Sequence, residues 1–112
     1  EIDAAAIAPL AERLDPCDCV VLGPAMTSAE AAGLIIDALL TGLLDAQALV
    51  LDAVALHGAK DRADRVSSYP GARVLTPNPD ELASLLDCSS QRIHVDPANC
   101  AREAAGRFAA VT

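Results

Sequence analysis

An α/β fold, with a parallel sheet flanked by helices, is what this sequence predicts, and three observations carry it. Continuous apolar runs stand at Cys19-Val20-Val21-Leu22 and Ala48-Leu49-Val50-Leu51, and a third extended segment at Ala72-Arg73-Val74-Leu75-Thr76. Helical patterns separate them, with intervals long enough for crossover connections. Runs that do not alternate are those of strands buried on both faces, as in a parallel sheet.

Each element has its own warrant. Asp3 to Arg13 carries Ile7 and Leu10, with Leu14 just beyond, at helical spacing, and Pro16 ends it. The first strand, Cys19 to Leu22, stops at Gly23-Pro24. Ser28 to Leu44 is the strongest helical pattern. Its polar residues Glu30, Asp37 and Thr41 share one narrow stripe with Gly33, so most of its circumference needs cover. Thr27 or Ser28 can cap its start, Thr27 in a capping box with Glu30, and Gly42 weakens its end. Ala48 to Leu51 is the second strand, ending at Asp52, and a short helical stretch follows near Ala55 to Ala59. Lys60 to Tyr69 is charged and polar and reads as a solvated helix end or loop, and Pro70-Gly71 as a turn. Ala72 to Thr76 is the third strand, stopped by Pro77. Pro79 suits the first position of a helix to about Leu86. Cys88 to Val95 reads as loop. Pro97 to Ala110 is the last helix, with Ala101, Ala104, Ala105 and Phe108 as its apolar face, and Val111-Thr112 begins a fourth strand.

The composition excludes several classes. The 112 residues make one domain. With 53% hydrophobic residues the chain is not disordered. Eight basic against sixteen acidic residues give a net charge of −8, which argues against a nucleic-acid partner. The longest apolar stretch, Ala31 to Leu44, is broken by Asp37 and is too short for a bilayer span. Glu1 and Asp3 stand where a signal peptide would be basic. A start without Met and an apolar, uncapped end suggest an internal piece of a longer protein. Cys17-Asp18-Cys19 is too tight for a zinc knuckle, and Cys88 and Cys100 match no ligand pattern. All four read as reduced cysteines packed as small hydrophobes, in a reducing, cytoplasmic compartment.

Ligands of open α/β sheets bind outside the carboxyl ends of the strands. Three segments converge there: 23–27, 52–57 and 76–81. Strand-Gly-Pro before a long Ala/Leu helix, then Val-Leu-Asp-Ala, then Val-Leu-Thr-Pro-Asn with Glu81 three residues on, resembles the ADP/ATP-dependent NAD(P)H-hydrate dehydratases of the ribokinase-like superfamily. The resemblance runs from about Cys19 to Thr112. It implies a three-layer α/β/α ribokinase-like fold, here incomplete. It also implies an enzyme that repairs NADH or NADPH hydrated on the nicotinamide ring, with ADP or ATP and Mg²⁺. The nucleotide is thought to phosphorylate the ring hydroxyl before phosphate leaves. The full protein would be a cytoplasmic homo-oligomer, with no nucleic-acid or membrane partner.

The carry-over goes position by position. The family's first loop reads Gly-Pro-Gly-Leu-Gly. Gly23 and Pro24 match, while Ala25 and Thr27 replace glycines, and Thr27 falls where the loop approaches substrate. A Cβ at Thr27 restricts that approach and disfavours positive φ. The second loop reads Asp-Ala-Asp-Ala-Leu. Asp52 matches, and Val54 replaces the second Asp. The third is best preserved: Asn78, Pro79, Asp80, Glu81, Leu82, Ala83 and Ser84 lie over the substrate-contacting stretch, with Glu81 the candidate for magnesium through water. The same residues also make a plain capping box. His57 and His94 read as surface or capping residues.

The superfamily's catalytic Gly-rich turn with an Asp has no counterpart after Thr76, where Gly106 stands alone. No catalytic residue is therefore assigned. Residues 1–112 read as the N-terminal-to-middle part of a ribokinase-like domain that lacks its nucleotide-binding part and is inactive alone. Two alternatives stay open: a vitamin-type small-molecule kinase of the same superfamily, and a non-catalytic domain kept for assembly.

Overall fold

A computed structural model describes residues 17–44 and 47–112, without the Leu43 side chain. The helix expected at Asp3 to Arg13 lies outside the described residues. Strands β1 (Cys19–Leu22), β2 (Ala48–Leu51) and β3 (Arg73–Leu75) form a parallel sheet in the order β1-β2-β3. Helices α1 (Ala29–Ala38), α2 (Val54–Ala59), α3 (Ala63–Ser68), α4 (Pro79–Leu86), α5 (Ser90–Val95) and α6 (Pro97–Phe108) connect and follow them. Where a fourth strand was expected, Val111 makes an isolated parallel bridge to Val74 beside β3.

The register explains the core. Leu22, Leu51 and Leu75 stand side by side across the sheet and are all buried. They share one cluster with Ile35 and Ile36 of α1, Leu56 of α2 and Phe108 of α6. The opposite row is Val21, Val50, Val74 and Val111. Two-sided burial is not found at its ends: Val21 is 58% exposed and Val111 70%. A second cluster, with Leu82, Ala83, Leu86, Ile93, Cys100 and Ala104, ties α4, α5 and α6 together.

Several expectations are corrected. The α1 cap is Ser28, whose Oγ accepts from the Ala31 amide at 3.1 Å, and not Thr27. The helix does not run straight to Leu44. It widens into a π turn over Leu39–Leu43, where Gly42 takes φ 146° and the Thr41 hydroxyl donates to the Asp37 carbonyl at 2.7 Å. Along the polar stripe Glu30 and Thr41 are exposed, whereas Gly33 is buried and Asp37 half-buried. Arg62 lies across these last two, donating through Nε and Nη2 to Asp37.

Arg62 belongs to the segment expected to be a solvated helix end or loop; it forms a 3₁₀ turn (Lys60–Arg62) and α3, a helix with a buried side. Ala63, Val66 and Tyr69, three residues apart, give it an apolar side. Cys88 to Val95 is likewise not all loop. Ser89 caps α5 by accepting from the Arg92 amide at 3.3 Å, and Ile93 anchors it. Helix α6 ends at Phe108, two residues early, and buries Cys100, Ala104 and Phe108 while Ala101 and Ala105 are half-buried. Burial as a small hydrophobe holds for Cys100. Cys88 is half-buried, and Cys17 and Cys19 are exposed. No helix among the described residues is long and apolar enough to cross a membrane.

Candidate functional site

The three loops after the strands begin side by side. The Asp52 amide donates to the Leu22 carbonyl at 3.0 Å, and the Thr76 amide to Leu51 at 3.2 Å. The ladder thus runs one residue past each strand end and aligns Gly23, Asp52 and Thr76. The contact between the first two loops is backbone on backbone. A β-carbon on Gly23, whose φ is 128°, would stand 1.7 Å from the Asp52 carbonyl oxygen. Only glycine fits there.

The first loop closes with the Met26 amide donating to the Gly23 carbonyl at 3.1 Å. Pro24 takes the second position of this turn, and Ala25, at φ 65°, takes the third, where a type II turn calls for glycine. The strain expected at Thr27 therefore falls on Ala25. Thr27 is exposed and is not among the residues at positive φ. The second loop closes with the Ala55 amide donating to the Asp52 carbonyl at 3.1 Å. Ala53 carries φ 51° and ψ −130°, a conformation that belongs to glycine in type II′ turns. Two L-residues in the left-handed half of φ space thus flank the Gly23–Asp52 contact. Asp52 is half-buried. Val54, also half-buried, packs against the main core.

The third loop holds a complete capping box. Asn78 Oδ1 accepts from the Glu81 amide at 2.8 Å, and Glu81 Oε1 accepts from the Asn78 amide at 2.9 Å. Pro79 opens α4, where its missing N–H costs nothing. Asp80 is exposed, and its Oδ1 accepts from the Ser90 hydroxyl at 3.1 Å. Leu82 and Ala83 turn inward, into the second core cluster. Ser84 is half-buried, with its hydroxyl 3.4 Å from Nδ1 of His57 on α2. Sequence reasoning did not join these two residues, because nothing in their spacing links them. His94 is exposed on α5. A cleft of about 400 Å³ lies beside the third loop, lined by Leu75, Thr76, Pro79, Leu82, Ile93 and Thr112.

The donors for a cation are sparse. No group of three His, Cys, Asp or Glu side chains able to hold a metal stands together among the described residues. Glu81 has one carboxylate oxygen committed to its cap. One carboxylate with water and substrate phosphates is a set that suits Mg²⁺, which seldom has an all-protein cage. Gly106 lies inside α6 with nothing within 4 Å of its would-be Cβ, so it makes no phosphate-holding turn.

A three-stranded parallel sheet flanked by helices, whose carboxyl-end loops meet beside a capped helix start, is the arrangement of an incomplete ribokinase-like α/β fold. The chain belongs to the NAD(P)H-hydrate dehydratase family, whose model (Carb_kinase) matches residues 2–112. No curated protein and no solved structure matches it.

Proposed function

We propose that this chain forms the substrate-side edge of a nucleotide-dependent dehydratase that repairs hydrated NADH and NADPH in the cytoplasm, as part of a homo-oligomeric enzyme. The single observation behind this reading is the meeting of Gly23, Asp52 and the Asn78–Glu81 turn at one sheet edge, in a chain of this family. Thr27 and Asp52 contact the substrate from the first two loops. Asn78, Pro79, Asp80 and Ser84 do so from the third, with Leu82 and Ala83 as the apolar backing of that helix. Glu81 holds Mg²⁺ through water with the carboxylate oxygen not used in its cap. Bound ADP or ATP supplies the phosphoryl group that turns the ring hydroxyl into a leaving group. The protein's share is to orient the ring and exclude water.

The Gly-rich catalytic turn comes, on this reading, from sequence outside these 112 residues, since Gly106 is helical. The test follows the return of dihydronicotinamide absorbance from hydrated NADPH with Mg²⁺ and either ADP or ATP. The complete gene product is expected to restore it and the 112-residue chain is not. A folded complete product that restores nothing overturns the function. Restoration by the chain alone overturns the placement of the catalytic turn.

A further inference from the structure

Helices α2 and α4 leave the second and third loops and pack against each other, with one polar contact between them and a second just past their ends. His57 Nδ1 lies 3.4 Å from Ser84 Oγ. One turn further, Lys60 Nζ lies 3.1 Å from Asp87 Oδ1. His57 and Lys60 are three residues apart, as are Ser84 and Asp87, so the second rung falls just past the ends of both helices, at the 3₁₀ turn and the α4 C-cap. The inner face of α4 is otherwise held by Leu82, Ala83, Leu85 and Leu86. Apolar burial is non-directional and does not by itself fix how far a short helix slides or turns. The two rungs are directional.

We propose that His57 is a positioning residue: through Ser84 it holds α4, and with it Asn78 and Glu81, at a set separation from Asp52. Ser84 is six residues beyond Asn78, about 9 Å along a rigid helix. A shift of the helix at Ser84 is therefore delivered to the capping box. His57 itself lies within α2, five residues after Asp52, so the rung ties the helix that leaves the second loop to the one that leaves the third. The consequence for catalysis rests on the dehydratase reading, whereas the clamp itself does not.

The test compares the protein with its H57A, S84A, H57A/S84A and H57N variants. All are changes at partly or fully exposed side chains, and a thermal melt checks that each stays folded. NMR amide shifts of Asn78, Asp80 and Glu81 report the position of the box, because two of these amides make its hydrogen bonds. H57A and S84A should move these three amides in the same direction, with the double variant adding nothing. H57N, whose side-chain amide reaches the place of Nδ1, should restore them. Shifts confined to the neighbours of residues 57 and 84, or additive shifts in the double variant, overturn the clamp. In the complete enzyme, H57A should raise KM for hydrated NADPH roughly three- to tenfold with kcat little changed, and H57N should rescue it. A complete enzyme with no activity overturns the function and leaves the amide pattern to decide the clamp.

Discussion

Gly23 faces the carbonyl oxygen of Asp52 with no room between them for a side chain: a β-carbon would stand 1.7 Å from that oxygen. This contact makes the first two loops one surface. The carboxylate of Asp52 is placed by its own backbone, and that backbone is placed by the absence of a side chain at position 23.

Gly23→Ala should therefore destabilise the protein by roughly 3 kcal/mol or more, because steric overlap adds to the strain of an L-residue at φ 128°. Urea unfolding measures it. A loss below about 1 kcal/mol would mean that the loops part freely and the contact does not define the site.

Ala25 and Ala53 should respond in the opposite sense. Both occupy positive φ, at 65° and 51°. An alanine there costs about 1–2 kcal/mol, and glycine returns about 0.5–1 of that as unfolded-state entropy. Ala25→Gly and Ala53→Gly are each expected to stabilise by about 0.5–1 kcal/mol. A lower urea midpoint for either variant would contradict the turn assignment.

What the sequence made legible was local. Leu49 and Leu51 sit in an unbroken apolar run, and Asn78, Pro79 and Glu81 carry a helix start within four residues, so β2 and α4 stand where they were expected. Helix α5 was missed because Ser89 and a single buried Ile93 give too short a segment to show a period. The role of Gly33 was illegible for another reason: the side chain filling the space over it, Arg62, lies 29 residues away in a segment that looked like a solvated helix end or loop. At the site, sequence comparison marked Ala25 and Thr27 as departures alike, and only the backbone separates them, with the strained φ at Ala25. The His57–Ser84 contact spans the crossover from β2 to β3, 27 residues along the chain, and no local pattern reports it.

The capping box allows structure and chemistry to be separated at Glu81. Asn78→Ala removes the acceptor for the Glu81 amide and should cost about 1 kcal/mol. Glu81→Gln keeps an oxygen for the Asn78 amide and should change stability by less than about 0.5 kcal/mol. If the carboxylate orders magnesium, the same substitution should lower activity of the complete enzyme by about ten- to a hundredfold. Equal activity in Glu81→Gln and the unaltered enzyme would reduce Glu81 to a cap.

Asp37 joins α1 to the Arg62 turn and gives the protein an acid-sensitive tie. Arg62 Nε and Nη2 donate to its two carboxylate oxygens at 2.8 and 3.1 Å, and Arg65 Nη1 donates to Oδ1 as well. The Arg62 hydrogen bond is the main cause that holds the carboxyl below its ordinary value of 3.8; burial opposes it, and Arg65 adds to it. A carboxyl whose pKa falls on folding contributes stability above its unfolded value, and that contribution is lost as the pH drops through the lower folded value. Asp37→Asn should thus cost about 1–2 kcal/mol near neutral pH, as expected for a charge-assisted, partly exposed pair. The gap between the two proteins should hold down to about pH 4 and close in stronger acid. Urea midpoints taken at stepped pH measure that gap directly. A gap that persists unchanged to about pH 2 would show that Asp37 acts by shape and hydrogen bonding alone, without its charge.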